Sequence, residues 1–433
     1  MSEVNFQKVF TRNISAAKVT TAKAEDKLLE DAQYVPPPGH ISFLKGNFRD
    51  GECGRASMVS LGGVRMQDSR TWKNASEIFS RNFSWASGAF LVGDLDRLKS
   101  FQVTTTKART SHGSVTAPLF GATFVDLEPK ESKDFHLLVA FGEDVERFCS
   151  NSYIFEVKGS IGDKIEADVT KWLPEKLVFR EFEKPRGWPD GSEFVQKGVV
   201  PTARSGAQIG ILGNPDKDNP SFTILCPGGV CKPTPGPTRI LPEDSNLFLL
   251  KYPEMIWTKL PSQEMLLRSH HSMHISERTA YIIGGYSWKD SKAKKPFPIT
   301  EVTRITFTDD FQIQLIDVIQ LQVPSIPASS IFLTGFACAG LNKTLYLFGG
   351  IAFPDYDQEK ENLHCFLPPE TPRNKVPDPS PQLLKINFSE ESLSVFSGSA
   401  DAGSHSGSLQ IMNTLEPLLI MTCDPHLYIY RPI

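Results

Sequence analysis

Short runs of apolar, β-branched and aromatic residues recur along this 433-residue chain, and most of them end abruptly in glycine. The first two read Met58-Val59-Ser60-Leu61-Gly62-Gly63 and Leu137-Leu138-Val139-Ala140-Phe141-Gly142. The pattern returns as 222–229 (FTILCPGG), as Ala280-Tyr281-Ile282-Ile283-Gly284-Gly285 and as Leu345-Tyr346-Leu347-Phe348-Gly349-Gly350. The last residues of these five lie 79, 87, 56 and 65 positions apart, and a sixth run without glycines, 418–424, follows about 74 residues later. Each run sits in a frame of strands. One precedes it, as in 206–212, 269–275 and 332–339, and two follow it across a variable loop. The following pairs are 247–252 with 255–258, 302–306 with 312–318, and 383–388 with 393–396, turning at Pro253-Glu254, Asp309-Asp310 and 389–391. Four antiparallel strands per unit, six units and no comparable helical periodicity predict an all-β, six-bladed β-propeller. The competing reading is an irregular β-sandwich with coincidental glycine pairs. Glycine doublets supply the positive φ at which the second strand turns out of a crowded centre.

The sixth unit is short, offering only 426–431 after its glycine-less run. An open ring leaves two edge strands exposed. A strand at 5–10 is therefore expected to close it, with 16–33 as a tether. The chain then divides into 1–39, closing strand and tether, and 40–433, the propeller.

Alternating strand directions send the long second-to-third loops (64–87, 143–150, 230–245, 286–301 and 351–381) to one face. Long loops on a rigid scaffold carry function. Net charge is −4, which argues against a surface that coats nucleic acid throughout. Basic residues nevertheless gather on that face: Arg65, Arg70, Lys73, Lys107, Arg109, Lys232, Arg239 and Lys289, with the dense run Lys292, Lys294, Lys295. That run reads as a solvated loop, a nuclear-import signal or a phosphate contact. The stretch Arg81-Asn82-Phe83-Ser84-Trp85 reads first as an aromatic strand anchor and second as a base-stacking element.

Seven scattered cysteines form no disulfide framework, the first residues contain no apolar leader run, and no stretch is long enough to span a membrane. A reducing compartment, cytosol or nucleus, is expected. Catalytic motifs are missing: no nucleophile elbow, P-loop, dinucleotide fingerprint or sialidase-type aspartate turn. His270, His271 and His274 resemble a metal cluster, yet strand alternation would put His271 opposite the other two, and no neighbouring ligand completes a set. Cys226 and Cys231 have no second pair at zinc spacing. No enzyme activity and no cofactor are expected of this chain.

Arg268-Ser269-His270-His271-Ser272, followed by the run ending Gly284-Gly285, resembles the kelch motif, as does Arg204-Ser205-Gly206-Ala207. Further segments resemble, in order and spacing, the V(D)J recombination-activating protein 2 family: 117–122 (APLFGA), 150–157 (SNSYIFEV), 198–206 (GVVPTARSG) and 246–250 (NLFLL) leading to Pro261. The resemblance covers roughly 40–433. It implies a non-catalytic accessory subunit of a recombinase or transposase. The partner would be a recombination-activating protein 1-like catalytic subunit, which holds the divalent metal and zinc, in a 2:2 heterotetramer. The complex would engage terminal inverted repeats or recombination signals in the nucleus. Basic residues of the first unit approach DNA in that family. The matching positions here are Arg65, Arg70 and Lys73 after the first doublet and Arg97 and Lys99 in the outer hairpin. No histone-reading zinc finger is seen before Ile433, so the chain is either a core fragment or similar to the transposon-encoded relatives without one. The alternative is a generic kelch adaptor, a ubiquitin-ligase receptor or cytoskeletal binder. Such proteins usually carry a BTB or F-box domain, for which no room remains outside the ring. A copper oxidase of the galactose-oxidase type would need paired tyrosine and histidine ligands that cannot be assembled here.

Overall fold

The computed structural model describes residues 2–4, 7–11, 40–47, 55–62, 86–91, 109–110, 113–114, 123–128, 134–141, 154–160, 178–181, 196–202, 204, 206–213, 221–229, 247–261, 264–288, 294–323, 333–334, 336–348, 351–352, 383–398, 408–412, 418–423 and 426–430. Among them the chain is built from β-strands, with one 3-10 turn at Glu264–Leu266. Six sheets of three to five strands follow one another, accompanied by two-stranded ribbons. Sheet one contains His40–Asn47, Arg55–Gly62 and Ala86–Leu91. Sheet two contains Thr123–Asp126, Asp134–Ala140, Ile154–Ser160 and Val178–Glu181. Sheet three runs Gly210–Leu212, Phe222–Cys226, Phe248–Tyr252, Ile256–Lys259. Sheet four runs Ser272–Ser276, Thr279–Ile283, Glu301–Phe307, Ile313–Gln320. Sheet five runs Ala337–Leu341, Thr344–Phe348, Leu383–Asn387, Ser392–Gly398. Sheet six contains Ser408–Met412, Leu418–Cys423 and His426–Tyr430. Within each sheet these strands pair antiparallel in sequence order.

The first strands of sheets two to six touch in that order, and the first strand of sheet six touches that of sheet one. This places the sheets face to face, and the middle strands show it in their parity. In Phe222–Cys226, Ile224 and Cys226 pack with Leu138 and Ala140 of sheet two, whereas Leu225 packs with Ala280 and Ile282 of sheet four. In Thr279–Ile283, Ala280 and Ile282 face sheet three, while Tyr281 and Ile283 face Leu345 and Leu347 of sheet five. A strand buried on both faces has no polar side, so it reads as a continuous apolar run rather than an alternation. Ile224, Leu225, Ile282, Ile283, Leu345 and Leu347 are all fully buried. Each such side chain contributes about 1.5–3 kcal/mol of burial.

The first strands begin later than their apolar pattern suggests, at Gly210, Ser272 and Ala337 instead of 206, 269 and 332. Gly206 (φ 63°) and His270 (φ 54°) are left-handed and break the extended backbone ahead of two of them. Strand alternation consequently does not apply across His270 and His271.

The N-terminal residues join two sheets. Gln7–Thr11 pairs antiparallel with His426–Tyr430 on the outer side of sheet six, one residue beyond the expected 5–10. Ser2–Val4 pairs parallel with Ser392–Gly398 of sheet five. The tether expected at 16–33 lies outside the described residues. Deleting residues 1–12 uncovers both outer edges at once. It should lower the melting temperature and bring on aggregation, read by thermal melting with light scattering; an unchanged melt would show that this strand adds no stability.

Candidate functional site at the arginine–glycine turns

Sheets three and four repeat one device at the end where the second strand turns away. Gly228 and Gly229 (φ 66° and 98°) follow the second strand of sheet three, and Gly284 and Gly285 (φ 60° and 78°) that of sheet four. A Cβ on Gly228 would overlap the Arg268 carbonyl oxygen, and one on Gly285 would lie 2.5 Å from the Ser269 carbonyl oxygen. Both positive φ and close approach therefore demand glycine. A buried arginine pins each doublet. Arg204 Nη1 donates to the Gly228 carbonyl at 2.8 Å, and Arg268 Nη1 to the Gly284 carbonyl at 3.4 Å. Their Nε atoms donate to the carbonyls of Thr202 and Met265, both at 2.9 Å. Each guanidinium also lies over aromatic rings. Arg204 sits 5.1 Å from Phe248 and 5.9 Å from Phe141; Arg268 sits 3.7 Å from Phe297.

The two turns are linked. Gly229 N–H donates to the Arg268 carbonyl at 2.9 Å, and His270 N–H to the Gly206 carbonyl at 2.8 Å. Arg268 Nη2 adds a bond to Thr303 Oγ1 at 2.8 Å. Burial lowers the Arg268 pKa to about 9, opposed by the charge of Glu301, so the side chain remains a cation at neutral pH.

The three histidines occupy three different settings. His270 stacks on Tyr286 with ring centroids 5.5 Å apart, its Nδ1 2.7 Å from Ser269 Oγ. Ser269 is fully buried. His274 lies beside the stacked pair Tyr281–Phe388, its ring nearly parallel to both, and its Nε2 lies 2.6 Å from the Asn342 carbonyl oxygen. His271 is buried with neither ring nitrogen hydrogen-bonded. Desolvation, reinforced by Arg268 and His270, holds its pKa well below the usual histidine value. Among the described residues, no group of three histidine, cysteine or carboxylate side chains is arranged to hold a metal. Cys226 is buried, and burial raises the pKa of Cys338. Cys231 lies outside the described residues.

Of the basic candidates, Lys294 and Lys295 fall on described backbone. The strand Lys294–Pro296 pairs antiparallel with Tyr286–Trp288 directly after the sheet-four doublet. Its base is fixed: Ser269 and Tyr286 exchange backbone bonds of 2.9 and 3.1 Å, and Phe297 N–H donates to the Gly285 carbonyl at 2.9 Å. The segment expected to be a plain loop is thus a ribbon rooted on the Arg268 turn. Arg65, Arg70, Lys73, Arg97, Lys99 and Lys292 lie outside the described residues. The pinning arginines were visible in the sequence as kelch-like motifs, but their role of holding the doublets carried no sequence signal.

Arg268→Met should leave the Gly284 carbonyl and the Thr303 hydroxyl buried without their donor. The expected cost is roughly 2–5 kcal/mol in urea unfolding. His271 has a second, pH-dependent consequence. Its folded pKa lies below its unfolded value near 6.5, so the unfolded chain takes up the proton first. Stability is therefore full above about pH 6.5 and falls by up to about 1.4 kcal/mol per pH unit below it, until the folded pKa is reached. His271→Leu should flatten this dependence between about pH 7.5 and about pH 5.5; an identical slope in the variant would assign the acid sensitivity elsewhere.

No family model matches the chain, and no curated protein matches it. Among solved structures, one described as "Structure of YjhT" aligns with a TM-score of 0.40 and 12% identity, over 71% of this chain and 73% of that one.

Proposed function

We propose that this chain is a non-catalytic accessory subunit of a recombinase or transposase of the V(D)J type, folded as a six-bladed kelch-like propeller closed by its N-terminal strand. It binds a recombination-activating protein 1-like catalytic subunit as a 2:2 heterotetramer. In the nucleus it helps that subunit engage terminal-repeat or recombination-signal DNA. The divalent metal and zinc belong to the partner, and DNA contacts come from Arg65, Arg70, Lys73, Arg97, Lys99 and the Lys292, Lys294, Lys295 run.

The observation that carries this reading is the colinear order of the segments resembling that family. Those with described residues lie in that order along sheets two and three. The 150–157 segment leads into the third strand of sheet two, Ile154–Ser160. The 198–206 segment leads into sheet three and contributes the pinning Arg204. The 246–250 segment supplies its third strand, Phe248–Tyr252. The touching first strands support the ring, and Gln7–Thr11 beside His426–Tyr430 supports its closure. A ribbon rooted on buried hydrogen bonds suits a basic run that must meet phosphates in a defined place.

Reconstitution with such a catalytic subunit tests the proposal. The chain alone should leave a terminal-repeat duplex intact in magnesium, and the complex should bind and cut it. Replacing Arg65, Arg70 and Lys73 together by Glu should reduce the salt slope of complex–DNA binding by about 0.9 per lost phosphate contact. An intact complex with an unchanged slope would remove the first unit from the DNA. Failure to bind the catalytic subunit at all would leave the kelch-adaptor reading.

A further inference from the structure

We infer that the outer strand of sheet four, Ile313–Gln320, is a docking edge for an extended, basic segment of another protein. The inference does not depend on the function proposed above. It begins from how the neighbouring sheets finish. In sheet three the outer strand Ile256–Lys259 is covered by Lys197–Gly198 running parallel to it. Lys197 N–H donates to the Met255 carbonyl at 2.8 Å and Val199 N–H to the Trp257 carbonyl at 3.1 Å. In sheet five the outer strand Ser392–Gly398 is covered at one end by Gln322 and at the other by Ser2–Val4. There Gln322 N–H donates to the Glu391 carbonyl at 2.7 Å, and the Gln322 carbonyl accepts from Leu393 N–H at 2.9 Å.

Sheet four has no such cover among the described residues. Ile313–Gln320 pairs on one side with Glu301–Phe307 and presents its other backbone edge unpaired. The reason is local. Lys197 lies seven residues before the pinning Arg204, and the residue seven before Arg268 is Pro261. Proline has no N–H to give to an outer strand. A 3-10 turn follows at Glu264–Leu266.

The open edge lacks the strongest of the usual guards. Over its eight residues there is no lysine, proline or glycine, Leu315 and Val318 are 46% and 43% exposed, and the guards it does carry are Asp317, held by Arg304, and a bulge at its first residues. Long, apolar, unguarded edges are templates for pairing with another chain. The surrounding charge selects the partner. The hairpin 301–320 carries Glu301, Asp309, Asp310 and Asp317 against Arg304, with Arg278 of the same sheet paired to Asp309. Arg304 is engaged by Asp317, which raises its pKa. Gln322 brings the sheet-five turn with exposed Glu390 and Glu391 to the end of the strand. A basic strand meets complementary charge here, whereas an acidic strand, or a second copy of this one, would set carboxylate against carboxylate.

The test uses the full chain and a labelled synthetic peptide alternating valine with lysine, beside its valine–glutamate counterpart. The lysine peptide should bind by fluorescence anisotropy, more weakly as salt rises, and should slow hydrogen exchange at the amides of Ile313–Gln320. Leu315→Lys and Val318→Lys, which place guards on the edge, should each weaken binding at least about tenfold. Ile256→Lys on the covered edge of sheet three should not. Absence of binding, equal binding of the glutamate peptide, or affinity unchanged in the guarded variants would overturn the inference. So would a concentration-dependent dimer that Val318→Lys dissociates, because the occupant would then be a second copy of this chain.

Discussion

Burial on both faces is the constraint from which the rest of this structure follows. A middle strand such as Phe222–Cys226 lies between two other sheets, so Ile224 and Cys226 must fit one neighbour while Leu225 fits the other. Neither face can hold an unpaired polar group without a penalty of about 1–3 kcal/mol. Polar chemistry is therefore displaced to strand ends and to outer edges. Those are the two places where both the candidate site and the docking edge lie.

At the strand ends the backbone must reverse in little space. Glycine doublets make the reversal sterically possible, but their carbonyls would point into a protein interior without donors. Arg204 and Arg268 resolve this by donating to Gly228 and Gly284 from within the same sheet, with aromatic faces taking up the remaining surface of the cation. A buried guanidinium is costly unless its donors are used. Arg268 uses Nε, Nη1 and Nη2. The bond from Gly229 to the Arg268 carbonyl then passes the constraint to the next sheet. The ribbon carrying Lys294 and Lys295 inherits a rigid base, while the neutral His271 beside it is the acid-sensitive element of the same turn.

At the outer edges the requirement is different. There the backbone is open to water, and an outer strand can be finished by a segment from elsewhere in the chain. Lys197–Gly198, Gln322 and the N-terminal strands finish three sheets, two of them with segments distant in sequence. Among the described residues sheet four has no such finisher, and the position corresponding to Lys197 is Pro261, which has no N–H to give. The acidic hairpin around that edge gives it a preference among partners.

The amino-acid sequence by itself determined which segments are strands and where the doublets turn, because continuous apolar runs ending in glycine have few other physical solutions. It also pointed to an N-terminal strand beside the last sheet, since a short final unit needs an outside strand. Only the tertiary structure decided where the first strands begin, since Gly206 and His270 adopt positive φ under the hold of neighbouring turns. The same is true of the tight turns at Met255, Phe311 and Glu391, left-handed without being glycine. Their conformation is imposed by the strands they join, not by intrinsic preference. The three adjacent histidines show the limit most directly. Spacing suggested one cluster, yet each ring is placed by a different neighbour: Tyr286 for His270, the sheet-three doublet for His271, and Phe388 of sheet five for His274. Such partners lie on other sheets, and the period of a strand carries no record of what will be packed against it.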